Sequence, residues 1–271
     1  KRISPSATTG SILTGDNVRR VVTNICTNAN PLNNTAVLNG FTITKGNPPH
    51  TASSSDTADS GGGIINQYAS PKLVNLFVFD NYAHDRGGGI YNGNSSAALV
   101  NTVVTRNSSQ YSGGGIYNFY APVKIINSTI AHNHSERVGG VRNLGLESQV
   151  VMTNSIVSGN TKTANDPENV NLSNLGGATI TYHHSFVQQL TTADAQGNID
   201  GALDPLFVNV PANNFRLLSC SPMINAGTNT AFAVGQTPDL SAITTDLDGD
   251  PRMYNGGVVD LGAYENEDTV F

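Results

Sequence analysis

No apolar run in this chain approaches the 18 or so residues of a membrane-spanning helix, which excludes a helical span. Basic clusters are missing as well. With a net charge of −6 and a pI near 5.4, nucleic acid and anionic membrane surfaces are poor partners. Tryptophan is absent, only 13% of residues are charged, and no stretch joins helical periodicity to a proper cap. Together with 28 glycines and many Asn, Ser and Thr, these shortages exclude both a helical protein and a charge-rich disordered one. No signal peptide is evident and the chain opens on Lys1, so it reads as a mature or trimmed part of a longer secreted precursor.

What the chain does contain is a repeat. Gly-Gly-Gly-Ile stands at Gly61–Ile64, Gly87–Ile90 and Gly113–Ile116, 26 residues apart each time, and a degraded copy, Val138-Gly139-Gly140-Val141, follows after 25. Leu73-Val74-Asn75, Leu99-Val100-Asn101 and Ile125-Ile126-Asn127 keep the same stride, with Met152-Thr153-Asn154 next. Asn81, Asn107, Asn133 and Asn160 form a second column of asparagines, and Asn66, Asn92, Asn118 and Asn143 a third. A fixed period of this length marks a solenoid.

Each unit holds short β-favouring runs, such as Leu76–Phe79 and Thr102–Thr105. About three strands and three turns per coil, stacked roughly 4.8 Å apart, make a parallel β-helix. Right-handed crossover is the expected hand. All three asparagine columns are expected to point inward, where stacked amides satisfy one another. The glycines fit turns that need positive φ or close backbone approach.

The repeats Leu-x-Asn-x-x-Phe-x-x-Asn and Gly-Gly-Gly-Ile-Tyr-Asn resemble the right-handed β-helix repeats of bacterial surface proteins, the polymorphic outer membrane proteins among them. Ile12–Asp16 and Thr35–Asn47 resemble the opening coils of that family. Asp204–Val208, Phe215–Leu217, Ser221–Gly227, Asp248–Arg252 and Asp260–Glu265 resemble a choice-of-anchor Q domain. The resemblance implies a fold and a cell-surface setting; it implies no reaction, because the family shares a scaffold.

The drift of the repeat divides the chain. Residues 1–60 are opening coils with a polar insertion, Gly46–Ser60; residues 61–160 are regular coils; residues 161–271 are terminal coils and a module expected to cap the last open sheet edge. The N-terminal edge at Arg2–Thr8 is expected to be covered by preceding sequence or by another chain. Cys26 and Cys220 fall several coils apart, too far for a disulfide unless the last hundred residues fold back, so both read as free, buried thiols.

Chemistry has several candidate places. Asp80, Arg106 and His132 share a column at successive coils, with His84, Gln110 and Glu136 one turn along. An acid, a cation and an imidazole at coil spacing can act together, or can simply pair on a solvated turn. Lys72 and Lys124 share another column, and a lyase of this architecture would use such a base, although neither has an evident acidic partner. Tyr91 and Tyr117 follow the inward Ile of their units and should face outward, with Tyr68, Phe119 and Tyr120 near the adjacent turn, a stack suited to sugar rings. Asp246, Asp248 and Asp250 have the oxygen density of a calcium loop but fail the EF-hand pattern, since Pro251 stands where its glycine belongs.

One lateral face is unusually apolar. Taking Leu73, Leu76 and Val78 as inward leaves Val74 and Phe77 outward, and the next coils repeat this with Val100, Val103 and Ile126. Such a stripe exceeds what a solvated sheet needs, so the insertion, the C-terminal module or a partner chain should cover it. The expected function is that of a secreted or surface-displayed structural or adhesive protein that binds a polysaccharide or another surface protein. The alternative is a carbohydrate-active enzyme, a lyase or hydrolase, holding an acidic polysaccharide in a lateral groove.

Overall fold

The computed structural model describes residues 10–50 and 57–267. The repeat folds as a parallel β-helix with four stacked sheets. Sheet I holds Val22–Ile25, Ile64–Gln67, Ile90–Gly93, Ile116–Phe119, Val141–Leu144 and Leu172–Leu175. Sheet II holds Val37–Asn39, Lys72–Val74, Ala98–Val100, Lys124–Ile126, Gln149–Thr153 and Thr179–His183. Sheet III begins at Ser11–Thr14 and Phe41–Thr44, runs through Phe77–Phe79, Val103–Thr105, Thr129–Ala131 and Ile156–Ser158, and ends at Phe186–Val187. Sheet IV is a ladder of two-residue strands from Tyr82–Ala83 to Thr161–Lys162.

Every neighbouring pair is parallel and in repeat register. Ile64, Ile90 and Ile116 stack directly, as do Leu73, Leu99 and Ile125, and Val78, Val104 and Ile130. Strand alternation puts all of these in one continuous interior cluster. The glycines serve two needs. Gly61, Gly87 and Gly113 sit at φ near +65°. A Cβ on Gly88 would lie 2.2 Å from the Ser108 carbonyl oxygen, so only glycine lets the coil pass its neighbour here.

Two asparagine ladders run inside. Asn66, Asn92, Asn118 and Asn143 each donate from Nδ2 to the next coil's Oδ1 at 2.7–2.9 Å, the last to Asn174. Asn81, Asn107 and Asn133 do the same at 2.9–3.0 Å, and each next-coil Oδ1 also accepts a backbone N–H.

The third column departs from the inward expectation. Asn75, Asn101 and Asn127 adopt φ of 41–51°, the left-handed turn that asparagine tolerates well, and their side chains face outward. They remain buried because the C-terminal module lies over them. The ladder runs from Asn101 to Asn75 and on to Asn39, and from Asn154 to Asn127. It is broken between Asn101 and Asn127. There Asn101 Oδ1 accepts from Arg252, while Asn127 Nδ2 donates to the Asp260 carbonyl at 3.1 Å.

The C-terminal module is therefore chiefly a flank, not an end cap as the sequence suggested. It contains an antiparallel hairpin, Phe207–Asn209 with Asn214–Leu217, and three short 3-10 turns. Phe215, Leu247, Ala263 and Tyr264 pack on Phe77, Phe79 and Val103 of sheet III. Phe232, Leu240 and Val259 pack on Val74, Val100 and Ile126 of sheet II. The last strand of sheet III is accompanied instead by the segment before the module, with Ile199 N bonded to the Ser185 carbonyl at 3.0 Å and Ser185 N to Asn198 Oδ1 at 3.0 Å. The expected cover at Arg2–Thr8 lies outside the described residues.

Folding back brings the last hundred residues along the coils, yet Cys26 and Cys220 stay free, the first half-buried and the second exposed rather than buried.

Candidate functional site

The apolar stripe is covered by the chain itself. Val74, Phe77, Val100, Val103 and Ile126 are all buried, none above 7% exposed, so they form an intramolecular joint and offer no free face to a partner. Each such side chain, fully buried, contributes about 1.5–3 kcal/mol.

A charged clasp closes over the joint. Arg252, 1% exposed, pairs with Glu265, 3% exposed, and also donates to Asn101 Oδ1. Glu265 Oε2 accepts the Asp260 backbone N–H at 2.9 Å, and the Asp260 carboxylate accepts the N–H groups of Asn225 and Asn266, each at 2.7 Å. Burial pushes the Glu265 carboxyl up to about 8, with Asp260 adding to the push and Arg252 opposing it. Burial likewise raises Asp246, Asp248 and Asp260 above the ordinary carboxylate range.

Asp246, Asp248 and Asp250 bring their carboxylate oxygens within 4.8 Å of one another. Two of the three are committed to structure: Asp246 Oδ1 accepts from the backbone of Asp248 and Asp250, its Oδ2 accepts from Glu265 N, and Asp248 pairs with Arg216 at 2.6 Å. Asp246 and Asp248 thus fasten the turn that delivers Arg252.

The Asp80–Arg106–His132 column exists, each residue at φ of 51–56°, but it divides in use. Arg106 Nε meets Asp80 Oδ1 at 3.2 Å on an open turn, with both side chains nearly half exposed. His132 instead lies 6.1 Å from the Phe215 ring, on the wall of a separate hollow of about 300 Å3 that also includes Gln188, Asp204 and Phe207. Burial, then the charge of Arg106, lowers its pKa. Of the parallel column, the His84 ring lies tilted against His50 at 4.8 Å, and His50 Nδ1 meets Asp59 at 2.9 Å.

The aromatic set is corrected in part. Tyr91 and Tyr117 do face outward and stack at 5.8 Å, nearly parallel, but they are 1% and 2% exposed and packed with Ile65, Phe119 and Leu144. Neither presents a face to a sugar. Phe119 and Tyr120 meet edge to face at 4.6 Å, with Tyr120 exposed and Tyr68 half-buried at the turn.

A further cleft was not foreseen from the sequence. It has about 380 Å3 and lies between sheet II and the C-terminal module. Its floor is the outer face of the sheet: Lys124 beside Val151 in one row, and Ile126, Thr153 and His183 in the next. Its walls are His184 and Gln196 at one end, and Thr228, Thr230 and Gln236–Pro238 from the module. Lys124 Nζ donates to the Thr237 carbonyl. His184 Nδ1 donates to the Ala226 carbonyl at 3.1 Å, which fixes the tautomer and leaves Nε2 free to accept in the neutral ring. Of the two candidate lysines, Lys124 lines this cleft; Lys72 lies near Asp239 at the rim of the module. A hint was present in the sequence, since His183 occupies the repeat position of Ile126 and Thr153. The opposing wall comes from residues with no repeat at all.

Comparison with known protein families, curated proteins and solved structures finds no match to this chain.

Proposed function

We propose that this chain is a secreted or cell-surface structural and adhesive protein that binds a glycan or a partner surface protein without chemically altering it. One observation carries the reading: the column of acid, cation and imidazole is not assembled as a site. Asp80 and Arg106 pair with each other on an open turn, while His132 lies apart against Phe215 in a separate hollow. The long, cross-linked interior of amide ladders and the clasped flank make a stiff rod, which suits display and adhesion. The repeats that resemble those of bacterial surface proteins, and the scarcity of charge, favour an extracellular setting.

The test is incubation with a panel of acidic and neutral polysaccharides, followed for both retention and cleavage. The expected result is saturable retention of at least one glycan with no release of reducing or unsaturated ends. Turnover that disappears in Lys124→Met or in a Lys72→Met variant would overturn this reading in favour of a carbohydrate-active enzyme.

A further inference from the structure

The cleft between sheet II and the C-terminal module carries a more specific assignment, which rests on the adhesive reading above. Cationic or protonatable groups stand at both ends of it. Lys124 is at one end, and among the described residues no carboxylate lies within ion-pair distance of its ammonium. His183 is two coils further on, roughly 10 Å along the axis, with His184 beside it. Asp194, a carboxylate close enough to His183 to sense it, is engaged by its own loop: its oxygens accept from Gln196 N, Asn198 N and Asn198 Nδ2 at 2.9–3.1 Å.

Between these ends the lining is amphipathic. Val151, with the edge of the largely covered Ile126, gives an apolar strip, while the Thr153 hydroxyl and the side-chain amides of Gln196 and Gln236 make no hydrogen bond among the described residues. Hydroxyl and amide groups left open beside an apolar floor, with an ammonium at one end and an imidazole at the other, match a ring that has an apolar face, hydroxyls around its edge and an acid group. The volume falls at the small end of ligand sites, roughly 300–1,000 Å3, which accommodates one or two rings.

We propose that this cleft binds a short segment of an acidic saccharide, its carboxylate or sulfate groups held by Lys124 and by His183 and its hydroxyls by Thr153, Gln196 and Gln236. The Thr237 carbonyl already orients the lysine. Because the charges are only partly screened from solvent, binding weakens as salt rises.

The test is isothermal titration of the full chain with digalacturonate, a sulfated heparin-type disaccharide, a neutral galactose disaccharide and sodium sulfate. At least one acidic disaccharide should bind at least tenfold more tightly than the neutral one and than sulfate alone. Which of the two binds distinguishes carboxylate from sulfate recognition. Lys124→Met and His183→Gln should each weaken that binding tenfold or more. The second variant guards against loss of the lysine's tether, because the His183 ring makes no hydrogen bond among the described residues that its removal would break. Equal affinity for the neutral disaccharide, equal affinity for sulfate alone, or no binding of either acidic disaccharide overturns the proposal. If both variants retain an intact acidic polysaccharide unchanged, the cleft assignment fails while the adhesive reading stands. If the polysaccharide is cleaved but cleft binding behaves as expected, the non-catalytic reading fails while the cleft stands.

Discussion

Replacing Arg252 with Met would remove the cation on which the flank closes. Arg252 and Glu265 are 1% and 3% exposed, so the lost partner leaves a buried carboxyl whose ionised form has no countercharge. Breaking such a pair costs about 3–5 kcal/mol. Asn101 Oδ1 also loses its donor, which adds about 1–3 kcal/mol for an unsatisfied buried acceptor. Part of this is relieved because Glu265 can take up a proton. Its folded pKa, about 8, is raised above the ordinary value near 4.5, so its contribution is fully present below 4.5 and is lost as pH rises through 8. Without Arg252, which pulls that pKa down, the gap widens and the penalty at neutral pH grows. The expected outcome is a loss of about 2–5 kcal/mol at pH 8 that shrinks toward pH 5. Replacing both residues, Arg252→Met with Glu265→Leu, should recover most of it. Hydrogen exchange at Leu247, Leu261 and Ala263, together with limited proteolysis of the C-terminal module, reports the undocking. A single variant costing under about 1 kcal/mol, or a double variant no better than the single, refutes the clasp.

In Phe77→Ala the outer face of sheet III loses its contact with the module, at about 3–5 kcal/mol, and cleavage should begin in residues 203–267 before it begins in the coils; simultaneous cleavage of both would contradict the packing. Asn92→Leu leaves Asn66 Nδ2 without its acceptor and Asn118 Oδ1 without its donor, so urea denaturation should show a loss of about 1–3 kcal/mol for each orphaned group, and a neutral result would place that ladder elsewhere. Gly88→Ala forces a methyl within 2.2 Å of the Ser108 carbonyl and should lower the melting temperature, whereas alanine at Gly235, which has open space around it, meets only its positive φ and should cost less. Asp80→Asn, on a turn where both partners are nearly half exposed, should change stability by less than about 1 kcal/mol; a larger effect would mean that the column does more than pair.

The candidate site was legible only in part. Lys124 was singled out by its column with Lys72, and its companions His183, His184 and Gln196 were not, because the glycine signature has faded by residue 161 and nothing marks them as neighbours of Lys124 until the coils are stacked. Alternation after Ile90 and Ile116 puts Tyr91 and Tyr117 on the outer side, where they pack in a cluster separate from the interior. Their burial was not readable, because outward from a strand is not the same as exposed to water. The same limit separated the three asparagine columns. Asparagine favours both an interior amide ladder and a left-handed turn, so composition at Asn75, Asn101 and Asn127 could not distinguish the two, and the φ values of 41–51° decide for the turn.

The sequence by itself determined the parallel solenoid, its roughly 26-residue coil, the inward Ile, Leu and Val columns, and the existence of an apolar stripe that needed a cover. These follow from local rules applied again at each repeat: strand alternation, turn glycines and stacking of like on like. Tertiary structure alone decided what covers the stripe, where the third asparagine ladder breaks, and where a cleft opens. Those contacts join residues more than a hundred positions apart, Asn101 with Arg252 and Lys124 with Thr237. They have no period to betray them, and the module's fold-back is chosen by the fit of Phe215, Phe232 and Tyr264 to a surface that exists only after the coils have stacked.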